Sequence, residues 1–239
     1  TATVTVAVAP VASAARSTIT SSAASITANG TSAATITVQL KDATGNNLTT
    51  SGGASKTIAS GTTAIRGSFT ISGGTVNATA NSTTINYNGT GSQTVAAIDY
   101  HNLTFSSTGT RTFASGTTGI AGTFSITGGS TDATTNSSTI DYKGNGGQTV
   151  NAINYYNLSL SNAGVKTFAA GTTGIANTLT IGGTASANAT TNSTTLNFNG
   201  GGPQVVNALS YYNLTLGNAG VKTFALGTTN ISGDFLLSG

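Results

Sequence analysis

The chain has no cysteine, no methionine, no tryptophan and no glutamate, and it has only two prolines and one histidine. Without cysteine there is neither a disulfide staple nor a thiolate metal site. Without glutamate the acidic groups reduce to five aspartates, scattered along the chain. Charged residues make up 5% of the sequence, against about 25% in an ordinary globular protein. No apolar run reaches the roughly 18 residues that a membrane-spanning helix needs. No signal peptide is recognisable, and the sequence opens at Thr1 already in a strand pattern, so it reads as a processed subunit or a piece of something longer.

What is present is glycine (32 residues), threonine, serine and asparagine, with apolar residues in a regular rhythm. Sparse charge with few apolar residues can signal disorder, but disorder goes with high net charge and no periodicity. Here Thr, Val, Ile and Tyr favour strands, and the class is all-β. The net charge of +3 and a pI near 9.3 raise nucleic acid as a partner. Four of the eight basic residues, Lys56, Arg111, Lys166 and Lys222, instead recur singly at one repeat position. Spaced about 14 Å apart along a stack of strands, they exceed the physiological Debye length of about 8 Å. They form no patch, and nucleic acid is not expected as a partner.

The rhythm is a long internal repeat. Residues 56–110, 111–165 and 166–221 align almost without gaps, and 222–239 opens a fourth copy. Tyr100-His101-Asn102-Leu103 returns as Tyr155-Tyr156-Asn157-Leu158 and as Tyr211-Tyr212-Asn213-Leu214. Gly61-Thr62-Thr63 returns at Gly116, Gly171 and Gly227. Apolar pairs at i, i+2 mark strands with one buried face: Phe69/Ile71, Ile85/Tyr87 and Leu103/Phe105 in the first copy, with counterparts in each later one. Successive pairs open at Phe69, Ile85, Leu103, Phe124, Ile140 and Leu158, with Gly- or Asn-rich corners between them. That spacing suits one turn of a parallel β-helix, about three coils per copy and about ten in all. An immunoglobulin-type sandwich is the competing architecture. The copies are short for a sandwich, no linker separates them, and the spacing runs evenly across each join, all of which favour the coil.

Four segments carry a family resemblance: Gly67–Gly74, Ser82–Gly89, Gln93–Val95 and Tyr100–Phe105, with their copies. They resemble repeats of large bacterial surface proteins of the filamentous-haemagglutinin type. The resemblance covers roughly residues 55–239 and implies a right-handed parallel β-helix in an extracellular, cell-surface adhesin. A second resemblance covers Ala12–Gly53, above all Ser17–Asn46, which is similar to the opening strands of bacterial Ig-like domains of the invasin/intimin family. After Ser51-Gly52-Gly53 the later strands of that sandwich never arrive. The domain organisation expected is an incomplete Ig-like strand segment at 1–53 and a β-helix at 54–239. Half a sandwich leaves open edges, covered by the β-helix or by a strand of another chain. Residues 1–10, with Thr3, Val4, Thr5, Val6, Ala7 and Val8 at their centre, are a candidate donor strand for β-augmentation.

The internal copies test each residue that could carry chemistry. His101 is replaced by Tyr156 and Tyr212, which a catalytic or metal-binding histidine would not allow, so it reads as a rim residue beside Tyr100. Asp132 and Asp141 could be paired carboxylates of a glycosidase, yet they align with Asn77/Asn86 and Asn188/Asn197; Asp99 aligns with Asn154 and Ser210. Carboxylates that exchange with amides are ordinary polar positions, and no enzyme activity or cofactor is expected. Asp42, in Lys41–Asn46, is the best calcium candidate, with a turn between two Ig strands as the plainer reading. Asn102, Asn157 and Asn213 are placed as corner residues capping backbone groups.

Tyr100, Tyr155, Tyr156, Tyr211 and Tyr212 form either an exposed stripe able to stack on sugars or aromatic packing along the rod. Sequons such as Asn47, Asn77 and Asn102 arise readily from this composition. Threonine pairs at 62–63, 117–118, 172–173 and 228–229 recur too sparsely for ice binding. The sequence therefore points to a non-enzymatic fibre or stalk segment that associates with itself. Its alternative is an adhesive module for a glycan or a host receptor.

Overall fold

A computed structural model describes residues 18–21, 36–39, 48–50 and 53–239. The described residues hold strands and no helix, and the parallel strands stack into a β-solenoid of about nine turns. At about 4.8 Å per layer the stack is about 43 Å long.

One column of stacked residues runs Ala78, Tyr100, Ile120, Tyr142, Leu160, Ile181. A second runs Ala133, Tyr155, Ile175, Phe198, Leu216, Leu237. Ala78, Ala133 and Ala189 hold the same place in successive copies. The first column bypasses Ala133, and its fifth step already reaches Ile181, just short of Ala189. Two copies therefore complete little more than five coils, where three whole coils per copy would give six. Both columns pass through the strand Asn154–Leu160, at Tyr155 and at Leu160. Equivalent residues of successive copies thus do not lie above one another. Each copy is turned about the axis by about a third of a turn, which sets Tyr142 of the second copy in the column of Tyr100 rather than of its counterpart Tyr87.

The steps are unequal, and their inequality matters below. In register the first copy climbs from Thr63 to Ile85, from Ile85 to Leu103 and from Leu103 to Phe124, and the middle step is the shortest. Each copy thus has one short coil squeezed between two longer ones. Side chains alternate in and out along each strand, and the inward ones fuse into a single core. Tyr87, Phe105, Phe113, Tyr142, Phe168 and Phe198 are among its largest fully buried side chains. Phe124 meets Phe105 edge-on at 5.0 Å and Phe113 at 5.9 Å, so the aromatic contacts run from coil to coil. On the last coil Phe224, Phe235 and Leu237 are exposed, because no further coil covers them among the described residues.

The corners explain two anchors of the repeat. Gly61, Gly116, Gly171 and Gly227 hold φ between 104° and 124°, a region closed to most side chains, which fixes Gly-Thr-Thr at every copy. Ser82, Ser137 and Ser193 each adopt a left-handed φ near 50° at the turn before the next strand. Only the first threonine of each Gly-Thr-Thr faces outward. Thr63, Thr118 and Thr173 are buried, so the paired threonines present no outward row of the kind ice binding requires.

The strands at the N-terminal side are β1 (Thr18–Ser21), β2 (Ile36–Gln39), β3 (Leu48–Thr50), β4 (Lys56–Thr57), β5 (Thr62–Ile65) and β6 (Phe69–Ile71). β2 pairs in parallel with β4, Ile36 beside Lys56, and β3 in parallel with β6, Leu48 beside Phe69. Both offsets match the coil step further along, so stacking already begins at Ile36. β1 runs antiparallel to β2. The rest of the expected Ig-like segment lies outside the described residues. So do the candidate donor strand Thr3, Val4, Thr5, Val6, Ala7 and Val8, and Asp42.

Candidate functional site

The recurrent polar feature is a corner of each copy where a basic side chain, a glutamine and a tyrosine turn inward. Arg111 is fully buried. Its Nε donates to the Tyr87 carbonyl at 3.1 Å and its Nη2 to the Gly89 carbonyl at 2.7 Å. One copy later Lys166, also fully buried, donates from Nζ to the carbonyls of Gly144, Gly146 and Ala163 at 2.6, 3.0 and 2.9 Å. Lys222 reaches Gly200 at 2.7 Å and Lys56 reaches Ala54 at 2.7 Å. A cage of carbonyl oxygens accepts the cation, which offsets part of its desolvation. Burial lowers the pKa of Lys166, with the Asp141 carboxylate pulling it back up, and burial lowers Lys222 as well. Of the four repeated cations, Lys56, Arg111 and Lys166 are buried in the rod and Lys222 is half-buried.

Next to Arg111, Lys166 and Lys222 stands a glutamine. Gln148 accepts the Gly144 N–H at 2.8 Å and donates to the Ile120 and Gly122 carbonyls at 2.9 and 2.7 Å. Gln204 accepts from Gly200 at 2.7 Å and donates to Ile175 and Asn177 at 2.8 and 3.0 Å. Gln93 makes the same contacts to Gly89, Ile65 and Gly67. One amide thus holds its own corner and two carbonyls of the coil below. A Cβ on Gly144 would sit 2.8 Å from the Gln148 side chain and 2.4 Å from the Ala121 carbonyl, so the approach needs glycine.

Of the five tyrosines considered as a stripe, Tyr100, Tyr155 and Tyr211 are buried in the core, while Tyr156 and Tyr212 are half-buried at the surface. An exposed row of five is therefore corrected: three point inward, because the strand alternation puts the first aromatic of each Tyr-Tyr or Tyr-His pair on the core side. Tyr142 and Tyr155 share a hydroxyl–hydroxyl bond of 2.9 Å; the Asn151 N–H donates to Tyr142 and Tyr155 donates to the Asn151 carbonyl. Tyr87 and Tyr100 do the same around Ala96. In the third copy Phe198 takes the first place, leaving Tyr211 to donate to Asn207 alone. Burial pushes Tyr87 up to about 12 and raises Tyr100, Tyr142, Tyr155 and Tyr211 too.

The aspartates lie outside this corner. Asp132 accepts from the Thr134 and Thr135 N–H groups at 2.9 and 3.0 Å and from the Thr134 hydroxyl. Asn77 and Asn188 hold the same turn with a neutral oxygen. Burial alone would raise the Asp132 carboxyl, but these hydrogen bonds outweigh it and bring it to about 2. Asp141 accepts from the Ser161 hydroxyl at 2.9 Å, as Asn86 does from Ser106. Asp99 pairs with Lys143 at 2.8 Å on the surface. His101 is half-buried on the rim.

Asn102 and Asn213 accept backbone N–H groups of the next coil, from Thr123 at 2.9 Å and Asp234 at 2.8 Å. Asn157 at the same place accepts from the side chains of Asn177 and Thr178. Asn102 and Asn213 thus cap backbone groups as expected, whereas Asn157 does not, and all three sit at half-buried positions. Among the described residues no three His, Asp, Glu or Cys side chains gather as metal ligands, and no helix is long and apolar enough to cross a membrane.

The fold and its recurrent corners define a β-solenoid repeat protein. No protein-family model, curated protein or solved structure matches the chain.

Sequence reasoning missed the glutamine clamp and the inward cations. The signal was present: Gln93, Gln148 and Gln204 keep one position while their neighbours drift.

Proposed function

We propose that this chain is a non-enzymatic structural component of an extracellular bacterial surface fibre or large adhesin. It forms a β-rich stalk and assembles with its own kind, or with other segments of the same surface protein, through its N-terminal strands by β-augmentation. The observation that carries the reading is the use of the reactive side chains. Cations, glutamines and tyrosines are committed to holding coils together, and carboxylates exchange with amides at fixed hydrogen-bonding positions.

Electron microscopy of the full chain beside a chain lacking residues 1–10 tests it. Fibres are expected from the first and folded monomers from the second. Fibres of normal length from both would end this reading. A glycan- or receptor-binding module is the alternative, now reduced to Tyr156 and Tyr212. These sit one copy apart and hence on different sides of the rod, which leaves no continuous platform for a sugar chain.

A further inference from the structure

The short coil of each copy leaves a notch in the wall of the rod. In the first copy the upper edge of β6 carries no strand among the described residues, since β6 pairs with β3 alone. The next three strands are β7 (Val76–Asn77), β8 (Thr84–Tyr87) and β9 (Gln93–Val95). β8 stacks on β5 and ties the two coils together. Beyond it the upper coil cuts the corner, and β9 pairs only with the strand Thr110–Phe113 above it. The Gln93 side chain bonds downward where the two coils part. Between them lies an open groove of about 600 Å³, lined by Gly67, Phe69 and Ile71 below and by Thr94, Ala96 and Ala97 above.

The second copy shows what closes such a notch. Asn151, at the position of Ala96, sends its Nδ2 across to the Phe124 carbonyl at 2.9 Å. Alanine has no donor to send. The first notch is thus open where the second is bridged, and its walls are two strand edges that no other strand pairs among the described residues.

We propose that this notch is an acceptor for residues Thr3–Val8 of a second copy, inserted as an extended strand. The inference rests on the fibre reading and names its docking surface. An extended strand is the occupant suited to strand edges that no other strand pairs, although on the upper wall the Ala96 N–H and carbonyl are already held by Tyr87 and Tyr100. The groove is lined by apolar and uncharged polar side chains with no charged residue among them, which suits an uncharged insert of Val, Ala and Thr. In Thr3–Val8 the small apolar residues Val4, Val6 and Val8 alternate with Thr3, Thr5 and Ala7, so one face is apolar throughout and no residue is charged.

The absence of native cysteine makes disulfide trapping clean. Full-length Thr5→Cys is mixed with full-length Thr94→Cys and oxidised, with Thr149→Cys, the matching residue of the bridged notch, as reference. A cross-linked pair of copies at least fivefold above the reference is expected. Adding Ala96→Asn to the acceptor, a residue that the second and third copies already carry there, should return the yield to the reference level. Equal yields for Thr94→Cys and Thr149→Cys overturn the proposal. So does a yield untouched by Ala96→Asn, or a Thr5→Cys/Thr94→Cys double variant that links within one chain on dilution. Fibres lost on deleting residues 1–10 but kept in Ala96→Asn would leave the fibre reading standing with another acceptor. Fibres unaffected by either change would end both.

Discussion

The inside and the outside of one corner follow different rules, and the second copy shows both. Inside, Gln148 and Lys166 recur in kind at every copy, as glutamine and as a cation. Outside, Asp132 gives way to Asn77 and Asn188 without altering the turn. An inner side chain must supply several donors to backbone carbonyls that water cannot reach. An outer one needs only to offer one acceptor oxygen. Asp132 accepts as many hydrogen bonds as Gln148 makes, so the need to donate, rather than the number of bonds, decides whether a position drifts.

The inner set is most exposed to alkali. An unfolded phenol ionises near 10.0, whereas the core holds the Tyr87 proton to about 12. The fold therefore keeps this contribution in full below pH 10 and loses it as pH rises from 10 to 12, about 3 kcal/mol for Tyr87 alone. Tyr100, Tyr142, Tyr155 and Tyr211 shift the same way and enlarge the loss. Lys166 and Lys222 work in the opposite direction only below the ordinary lysine value of 10.5, since above it both states have lost the proton. Circular dichroism against pH should show unfolding in this window, with the tyrosinate absorbance of the five buried tyrosines appearing together with loss of the strand signal. Tyrosinate absorbance worth all seven tyrosines at pH 10 with the strand signal intact would contradict a buried set.

Gln148→Ala is the next largest. It leaves the Gly122 carbonyl and the Gly144 N–H without partners, while the Ile120 carbonyl keeps the Lys143 N–H, and each orphaned group costs about 1–3 kcal/mol. A total of about 3 kcal/mol is expected as a lower urea midpoint, with hydrogen exchange quickening first around Gly144. A loss below about 1 kcal/mol would show that water replaces the amide. Tyr142→Phe recreates the third-copy corner and should cost about 2 kcal/mol, the net value of the hydrogen bonds to Tyr155 and from the Asn151 N–H. Phe198→Tyr should recover a similar amount by pairing with Tyr211. The two changes together sharpen the comparison, because matched gains and losses would assign the effect to the shared hydroxyl. Thr118→Val tests a defect on the inner side: its buried hydroxyl has no hydrogen-bond partner, so the isosteric swap should stabilise by about 1 kcal/mol in thermal melts.

Much of the inside was legible in the chain. Pairs such as Ile85/Tyr87 and Ile140/Tyr142 alternate as strands must, and their copies gave the stacked-coil architecture. The phase of the copies was not legible. A steady period suggests three equal coils, while unequal corners make the climb from Ile85 to Leu103 shorter than its neighbours. Only the pairing registers reveal that a copy closes before its third turn. The direction of Lys166 was hidden for a related reason. Lysine reads as surface, and nothing local announces the carbonyls that Gly144 and Gly146 of the neighbouring coil hold out to it. Tyr100 and Tyr155 were ambiguous because an aromatic pair fits a stripe or a core equally well until the inward residue is known.

Asp132→Asn is the smallest change and the most direct probe of the outer rule. The amide keeps the oxygen that accepts from Thr134 and Thr135, as Asn77 and Asn188 already do, so stability at pH 7 should fall by less than about 1 kcal/mol. The acid limb should change more visibly. Because these hydrogen bonds hold the Asp132 carboxyl near 2, below its ordinary 3.8, its contribution is present above pH 4 and is lost as pH falls toward 2. Acid titration of the variant should be flatter than the parent's across that range. A large loss at pH 7 would mean that the negative charge itself is needed at this turn, and the drift between copies would then require compensating changes nearby.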